Sequence, residues 1–225
     1  MTNQSSRLAR LTGIAFVVFF IAGVAVSSTP SDTASDKTWI AAYTGQAHQA
    51  EHLATGILLV LAALCLMSFL THLWTRVVAA SQPRTVSPLP IVAAGVSAAC
   101  IAVGGMLMAG SSGSALLYSQ PIPGADVLRL GNDLGFAMVG IAGMLAAALS
   151  IAGVSLQARS AGIFSTRLAR SSLVVAVVLI ASIAFVPILA LFIWLITVTV
   201  TLTRSSSARE PVKTDRAATS EAVSA

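Results

Sequence analysis

The sequence alternates between long apolar blocks and short linkers that carry most of its basic residues. The apolar blocks cover about 11–28, 52–74, 91–109, 127–156 and 171–203. A transmembrane helix needs about 20 predominantly apolar residues, and most of these blocks reach or exceed that length. Because only 9% of the chain is charged, against roughly 25% in soluble domains, lipid must be the solvent of most of it. The sequence therefore predicts an all-α, polytopic membrane helix bundle.

The last apolar block, 171–203, contains no charged residue. As one helix it would be about 50 Å long, well beyond a hydrocarbon core of about 30 Å. Pro187 lies in its middle, so the block favours two short helices with a turn near 185–187, giving six transmembrane helices. One long kinked helix, giving five, is the alternative. In either case 1–203 is predicted to form a single transmembrane domain, and the polar tail 204–225 to be disordered.

The positions of the basic residues favour six spans. Cytoplasmic loops of membrane proteins are enriched in Lys and Arg. With the N-terminus inside and six crossings, eleven basic residues lie inside: Arg7, Arg10, Arg76, Arg84, Arg159, Arg167, Arg170, Arg204, Arg209, Lys213 and Arg216. Only Lys37 and Arg129 lie outside. The sequence thus predicts a multi-pass protein of the cell membrane with both termini cytoplasmic. The first block also resembles a secretory signal peptide. Because further apolar blocks follow it, we predict a retained helix.

Several functional classes find no support in the sequence. The formal net charge is +5, but the arginines lie between apolar blocks and form no polar basic patch. We therefore predict the lipid bilayer as a partner and do not predict nucleic-acid binding. No phosphate-binding loop, dinucleotide fingerprint or serine nucleophile elbow occurs, and no cofactor is predicted. Cys65 and Cys100 lie within apolar blocks and are predicted to be free thiols.

One short pattern has the spacing of a metal site. His48, Glu51 and His52 form H-x-x-E-H, the spacing of inverted zinc peptidases. Zinc would need a further protein ligand, and the acidic candidates are Asp32, Asp36, Asp126 and Asp133. Nothing in the chain resembles a soluble catalytic domain, so peptidase activity is not predicted. The simpler interpretation is a polar first turn at the entry of an apolar helix, with Glu51 near its positive dipole end.

A second polar group begins the fourth apolar block. Asp126, Arg129 and Asp133 share one helical face. With the predicted topology this face starts at the same membrane surface as His48, Glu51 and His52. We therefore expect a structural ion pair between Arg129 and Asp133 or Glu51, because an unpaired carboxylate in lipid is costly. The functional alternative is an external site for a metal, proton or small solute, with His48, Glu51, His52 and Asp133 as candidate ligands.

Two further patterns concern packing. Trp39 and Tyr43 lie four residues apart, on one helical face, and predict an aromatic belt at the membrane interface. The third and fourth blocks are rich in glycine, which lets helix backbones approach closely in lipid. The segment 111–125 is predicted to be a loop, with turn residues around Pro121, Pro123 and Gly124.

A family resemblance rests on two segments. WIAAYTGQAHQAEHLATGILLVLAALCLMSFLTHLW, in which a loop bearing Trp and Tyr leads into an apolar helix with an aromatic-rich end, is similar to the start of small multi-pass membrane proteins of unknown function from high-GC Gram-positive bacteria. The ending FVPILALFIWLITVTVTLTR resembles their last helix. The resemblance implies six helices and a bacterial inner membrane, and it supplies no catalytic residues.

Two hypotheses for function follow. The first is a non-enzymatic structural or accessory membrane protein, in which the polar cluster is an ion pair. The second is a small transporter or metal-responsive protein that uses the external His/Asp/Glu cluster.

Overall fold

A computed structural model describes residues 2–81, 86–180 and 188–207, with side chains for 11–81, 86–180 and 188–201. Within these ranges the regular structure is helical and contains no strand. The helices are α1 (Thr2–Val26), α2 (Asp36–Tyr43), α3 (Gln46–Ala80), α4 (Leu89–Tyr118), α5 (Ala125–Phe136), a π-helical segment (Ala137–Gly143), α6 (Met144–Ser160), α7 (Thr166–Ile180) and α8 (Ile188–Ser207). This confirms the predicted all-α fold.

Three helical stretches are long and apolar enough to cross a membrane. They are α3, α4 and the continuous helix Ala125–Ser160 that joins α5 to α6. Two shorter apolar stretches, Leu11–Val26 and Ile188–Thr201, lie in α1 and α8. A helical bundle with membrane-length helices therefore fits the prediction from composition.

Two helices of the last apolar block, α7 and α8, lie side by side. The Trp194 indole N–H in α8 donates a 2.7 Å hydrogen bond to the Ser172 hydroxyl in α7, 22 residues earlier. In one straight helix these residues would be about 33 Å apart. The bond therefore places α7 beside α8, which one straight helix could not do. The turn predicted near 185–187 lies outside the described residues.

The bundle has two distinct ends. At one end α2 packs against α3 and α5; we call this the α2 end. At the opposite end, the Gln157 side-chain amide donates a 3.2 Å hydrogen bond to the Ser87 carbonyl, which joins the end of α6 to the start of α4. We call this the basic end, because the described linkers there and the adjoining helix ends carry Arg76, Arg159, Arg167 and Arg170.

The first helix is part of the core. Phe16 and Phe20 of α1 are buried, and both rings meet Phe192 of α8 edge-on, at centroid distances of 6.0 and 5.6 Å. The main core also includes Leu66 of α3 and Ile151 of α6. Loss of α1 would therefore expose aromatic surface that is now inside the bundle.

Glycines bring three helices into backbone contact. A Cβ placed on Gly104 of α4 would lie 2.7 Å from the carbonyl oxygen of Gly135 in α5, and one on Gly56 of α3 would lie 2.6 Å from the Ala109 Cβ in α4. Such small-residue crossings let helices associate by close packing. The predicted close packing is therefore present at these positions. It is absent at Gly95, Gly110 and Gly140, which face open space.

Several element boundaries differ from those predicted. Helix α4 continues to Tyr118, so the predicted loop at 111–125 starts only at Ser119, whose left-handed backbone (φ 54°) ends the helix. Helix α8 continues to Ser207, so the first residues of the predicted tail are helical, and 208–225 lie outside the described residues.

The fourth block is continuous but contains a π-helical segment. The Gly143 carbonyl at its end accepts a buried 2.8 Å hydrogen bond from the Ser97 hydroxyl of α4.

Both cysteines are free, with Cys100 buried and Cys65 partly buried.

Candidate functional site

The first turn of α3 places His48 and Glu51 together. Helix α3 starts after Gly45, whose φ of 95° is the left-handed conformation that glycine adopts without strain, and which turns the chain out of α2. The His48 Nδ1 lies 3.3 Å from the Glu51 Oε2, and the Ser28 hydroxyl donates a 3.1 Å hydrogen bond to the same oxygen. Both α3 side chains are substantially exposed.

His52 has different surroundings from His48. Its side chain is buried, and its ring stacks on Tyr43 at 4.1 Å with an interplanar angle of 9°. Its Nε2 lies 3.3 Å from the Ala42 carbonyl. A carbonyl oxygen only accepts hydrogen bonds, so this nitrogen carries the proton. The imidazole of His52 is thus committed to the contact between α2 and α3, and the two histidines do not converge.

The stack continues through the aromatic residues of α2. Trp39 lies parallel to Tyr43, with ring centroids 6.3 Å apart, and both rings are buried. They form a small separate core with Ala125 and Leu128 of α5. Burial raises the pKa of Tyr43 to about 12. The predicted aromatic belt is therefore wrong for these two residues, because their rings face the protein interior and not lipid.

Arg129 joins α5 to α2. Its guanidinium lies 2.8 Å from an Asp36 carboxylate oxygen and 3.3 Å from an Asp126 carboxylate oxygen. It also donates a 2.9 Å hydrogen bond to the Ala34 carbonyl, and its Cζ lies 5.7 Å from the centre of the Trp39 ring. We call Arg129 with these four partners the Arg129 cluster.

Arg129 was predicted to pair with Asp133 or Glu51, but it contacts the partners of the Arg129 cluster instead. Helical side chains point toward the N-terminus of their helix, so the Arg129 side chain extends toward Asp126 and the start of α2. Asp133 lies one turn further along α5 in the other direction. Asp133 is exposed, and it forms no ion pair with any residue that the structure describes.

The candidate metal ligands do not gather at one place. His48 and Glu51 share an exposed surface, His52 is stacked under α2, and Asp133 is exposed on α5. In the described part of the chain, no group of three or more His, Cys, Asp or Glu side chains could hold a metal ion. The spacing H-x-x-E-H places the residues on one helix, but the third ligand that zinc needs is not near them.

Sequence reasoning missed the folding of 29–45 as a unit. The sequence signal for helix α2 in this segment was Ser35 followed by Asp36. The Ser35 hydroxyl accepts a hydrogen bond from the Thr38 amide at 3.3 Å, and an acidic residue follows in the first turn. This is an N-cap arrangement that predicts a helix start. The partnership of Asp36 with Arg129 had no sequence signal, because it joins residues 93 positions apart.

No protein-family model, curated protein or solved structure matches this chain. Its function is therefore inferred from the arrangement of its own residues.

Proposed function

We propose that this chain is a non-enzymatic, six-span protein of the cell membrane with a structural or accessory role. Its external polar residues hold a folded segment over the outer end of the bundle. The observation that carries the proposal is the Arg129 cluster, in which Asp36, Asp126, the Ala34 carbonyl and Trp39 all contact one guanidinium. Groups that could serve a solute or a metal are instead used to hold α2 against α5.

The distribution of charge supports the proposed orientation. Four arginines, Arg76, Arg159, Arg167 and Arg170, lie at the basic end, whereas the α2 end carries Lys37 and Arg129. The charge of Arg129 is compensated there by two carboxylates. Basic residues mark the cytoplasmic side of bacterial membrane proteins, so the α2 end is assigned to the outside and both termini to the cytoplasm.

The hairpin of α7 and α8 supports six spans over five. In this proposal it returns the chain toward the end from which α7 starts, and the Trp194–Ser172 bond between the two helices supports this path. Six spans also agree with the layout implied by the resemblance to small multi-pass membrane proteins of high-GC Gram-positive bacteria. The packing of Phe16 and Phe20 in the core supports a retained first helix.

The chain contains two lysines, Lys37 and Lys213, and they provide a test of topology. A lysine-specific protease is added to intact spheroplasts that express the full chain, and the fragments are sized. We expect cleavage after Lys37 and protection of Lys213, with cleavage at both sites after permeabilisation. Cleavage after Lys213 in intact spheroplasts would support five spans and overturn the assignment.

The metal-responsive alternative is tested separately. The purified full chain is incubated with Zn²⁺, desalted and analysed for metal content. We expect far less than one zinc per chain, both in the native protein and in the double variant His48→Ala/His52→Ala. Stoichiometric zinc that is lost in the double variant would contradict the structural role and favour a metal site at the first turn of α3.

A further inference from the structure

A partly open cavity of about 200 Å³ lies between α1, α3, α4 and the start of the π-helical segment. Its deeper wall is apolar and includes Phe20, Leu59, Met108 and Val139. Ser27, Thr29 and Thr55 also line the cavity, on the side nearer the α2 end. The cavity is thus apolar inside and polar at its rim, which is the layout of a site for an amphiphile.

A carboxylate stands beside this rim. Ser28, which lies between the rim residues Ser27 and Thr29, donates its hydroxyl hydrogen bond to Glu51 Oε2. The Thr55 hydroxyl donates to the Glu51 main-chain carbonyl at 3.1 Å, one helical turn away. The described side-chain contacts of Glu51 all fall on Oε2. Glu51 itself does not line the cavity, and its Oε1 remains available to a positively charged group beside the rim.

The π-helical segment forms part of the cavity wall. Phe136 immediately precedes the segment and Val139 belongs to it, and both line the cavity. A π-helical segment departs from ordinary α-helical hydrogen bonding and is found frequently at functional sites. Here its far end is held by the bond from Ser97 to the Gly143 carbonyl. The start of the irregular part of this helix therefore contributes to the cavity wall.

The size of the cavity limits what it can hold. A dry apolar cavity of about 150 Å³ accommodates a molecule as small as benzene, whereas drug-sized ligands occupy about 300–1,000 Å³. About 200 Å³ suits a section of one alkyl chain and is too small for the two chains of a whole lipid.

We infer that the cavity takes one acyl chain of a membrane lipid with an ammonium head group, and that Glu51 binds the ammonium. The inference rests on the proposed function, because the proposed function places the α2 end of the bundle at the outer membrane surface. The acyl chain comes from a surrounding membrane lipid, because the cavity opens among helices whose outward faces are apolar. The exposed carboxylate selects a cationic group over an anionic one.

Native mass spectrometry of the detergent-purified full chain tests this inference. The probes are phosphatidylethanolamine and phosphatidylglycerol with identical acyl chains. We expect the native chain to retain phosphatidylethanolamine about tenfold better, in line with one charge-assisted hydrogen bond. Glu51→Gln should abolish this preference and leave phosphatidylglycerol retention unchanged, whereas Asp32→Asn, an exposed acid near the same end, should keep the preference.

Filling the cavity with a larger side chain tests whether the acyl chain of the lipid occupies it. Val139→Phe should lower retention of both lipids, whereas Val174→Phe, on the exposed surface of α7, should not. Val24→Phe fills the same cavity from a more exposed position and serves if Val139→Phe fails to fold. Equal retention in the filled variants and the native chain would overturn the inference. The measurement is made in detergent and is independent of the number of spans, so its failure is distinct from failure of the lysine-protease test.

Discussion

The indole N–H of Trp194 donates its hydrogen bond to the Ser172 hydroxyl inside the core, and this bond ties α8 to α7. Both side chains are buried. The Ser172 hydroxyl in turn donates to the Leu168 carbonyl at 2.8 Å, so it acts as donor and acceptor at once. The Phe69 ring of α3 meets the indole edge-on at 6.2 Å. One indole thus connects α7 and α8 to the long helix α3.

Removing either partner of this bond should destabilise the protein. Ser172→Ala leaves the indole N–H unpaired in the core, which costs about 1–3 kcal/mol. Trp194→Phe removes the donor, and we expect the lost hydrogen bond and lost packing to cost at least about 1 kcal/mol. Unfolding in detergent measures both effects. In the double variant the two costs should be clearly non-additive, because the residues share one interaction. Additive costs would contradict the bond.

The Arg129 cluster should control how firmly α2 is held. Arg129→Ala removes two carboxylate contacts, one backbone hydrogen bond and the contact with Trp39. We expect a loss of about 1–3 kcal/mol in local stability, and therefore about fivefold or greater acceleration of cleavage after Lys37 by the lysine-specific protease.

Two variants separate this arrangement from the pairing expected from sequence. Asp36→Asn should accelerate cleavage after Lys37 in the same direction as Arg129→Ala. Asp133→Asn should leave the rate at the native value, since Asp133 lies away from the cluster. Acceleration by Asp133→Asn equal to that of Arg129→Ala would restore the pairing of Arg129 with Asp133.

The glycine crossing between α4 and α5 should be intolerant of a methyl group. Gly104→Ala would bring a Cβ to 2.7 Å from both the Gly135 carbonyl oxygen and a Val139 methyl, so the helices must separate. Overpacking of this kind costs about 1–3 kcal/mol. Gly110→Ala, in the same helix but facing open space, should be neutral or stabilise by up to about 1 kcal/mol through helix propensity. Melting temperatures of the two variants in detergent provide the comparison, and equal values would contradict the crossing.

The sequence was sufficient for the features that depend on local pattern. Long apolar blocks predicted the helices that contain them, and the excessive length of 171–203 predicted two helices, in agreement with the contact between Trp194 and Ser172. Spacing also placed His48 beside Glu51, because residues three apart on a helix are neighbours. Each of these inferences uses only residues close in sequence or the length of one helix.

The remaining features depend on how distant segments meet. Helical periodicity placed Arg129 near Asp133, but the position of α2 over α5 gave it Asp36 instead. Trp39 and Tyr43 have the composition of an interfacial belt, yet they are buried because Ala125 and Leu128 pack against them. The cavity at Val139 arises from the meeting of four elements, and no single block of sequence encodes it.

The last prediction concerns pH and Tyr43. A phenol is neutral when protonated, and burial disfavours the charged phenolate, which raises the pKa from 10.0 to about 12. A group whose pKa is raised by folding contributes stability below its unfolded pKa, and that contribution is lost as pH rises through the folded value. The packing of α2 should therefore be unaffected below pH 10 and weaken between about pH 10 and 12.

Ultraviolet titration of tyrosinate in the detergent-purified chain tests this prediction. The chain contains two tyrosines, Tyr43 and Tyr118. We expect a late phase near pH 12, which Tyr43→Phe removes. In the native chain, the rate of cleavage after Lys37 should not increase as the pH is raised toward 10. In Tyr43→Phe the stability should no longer fall specifically over the window from 10 to 12, since no phenol remains to ionise under α2. A native chain without this late phase would show that the Tyr43 ring is not held in the interior against His52 and Trp39.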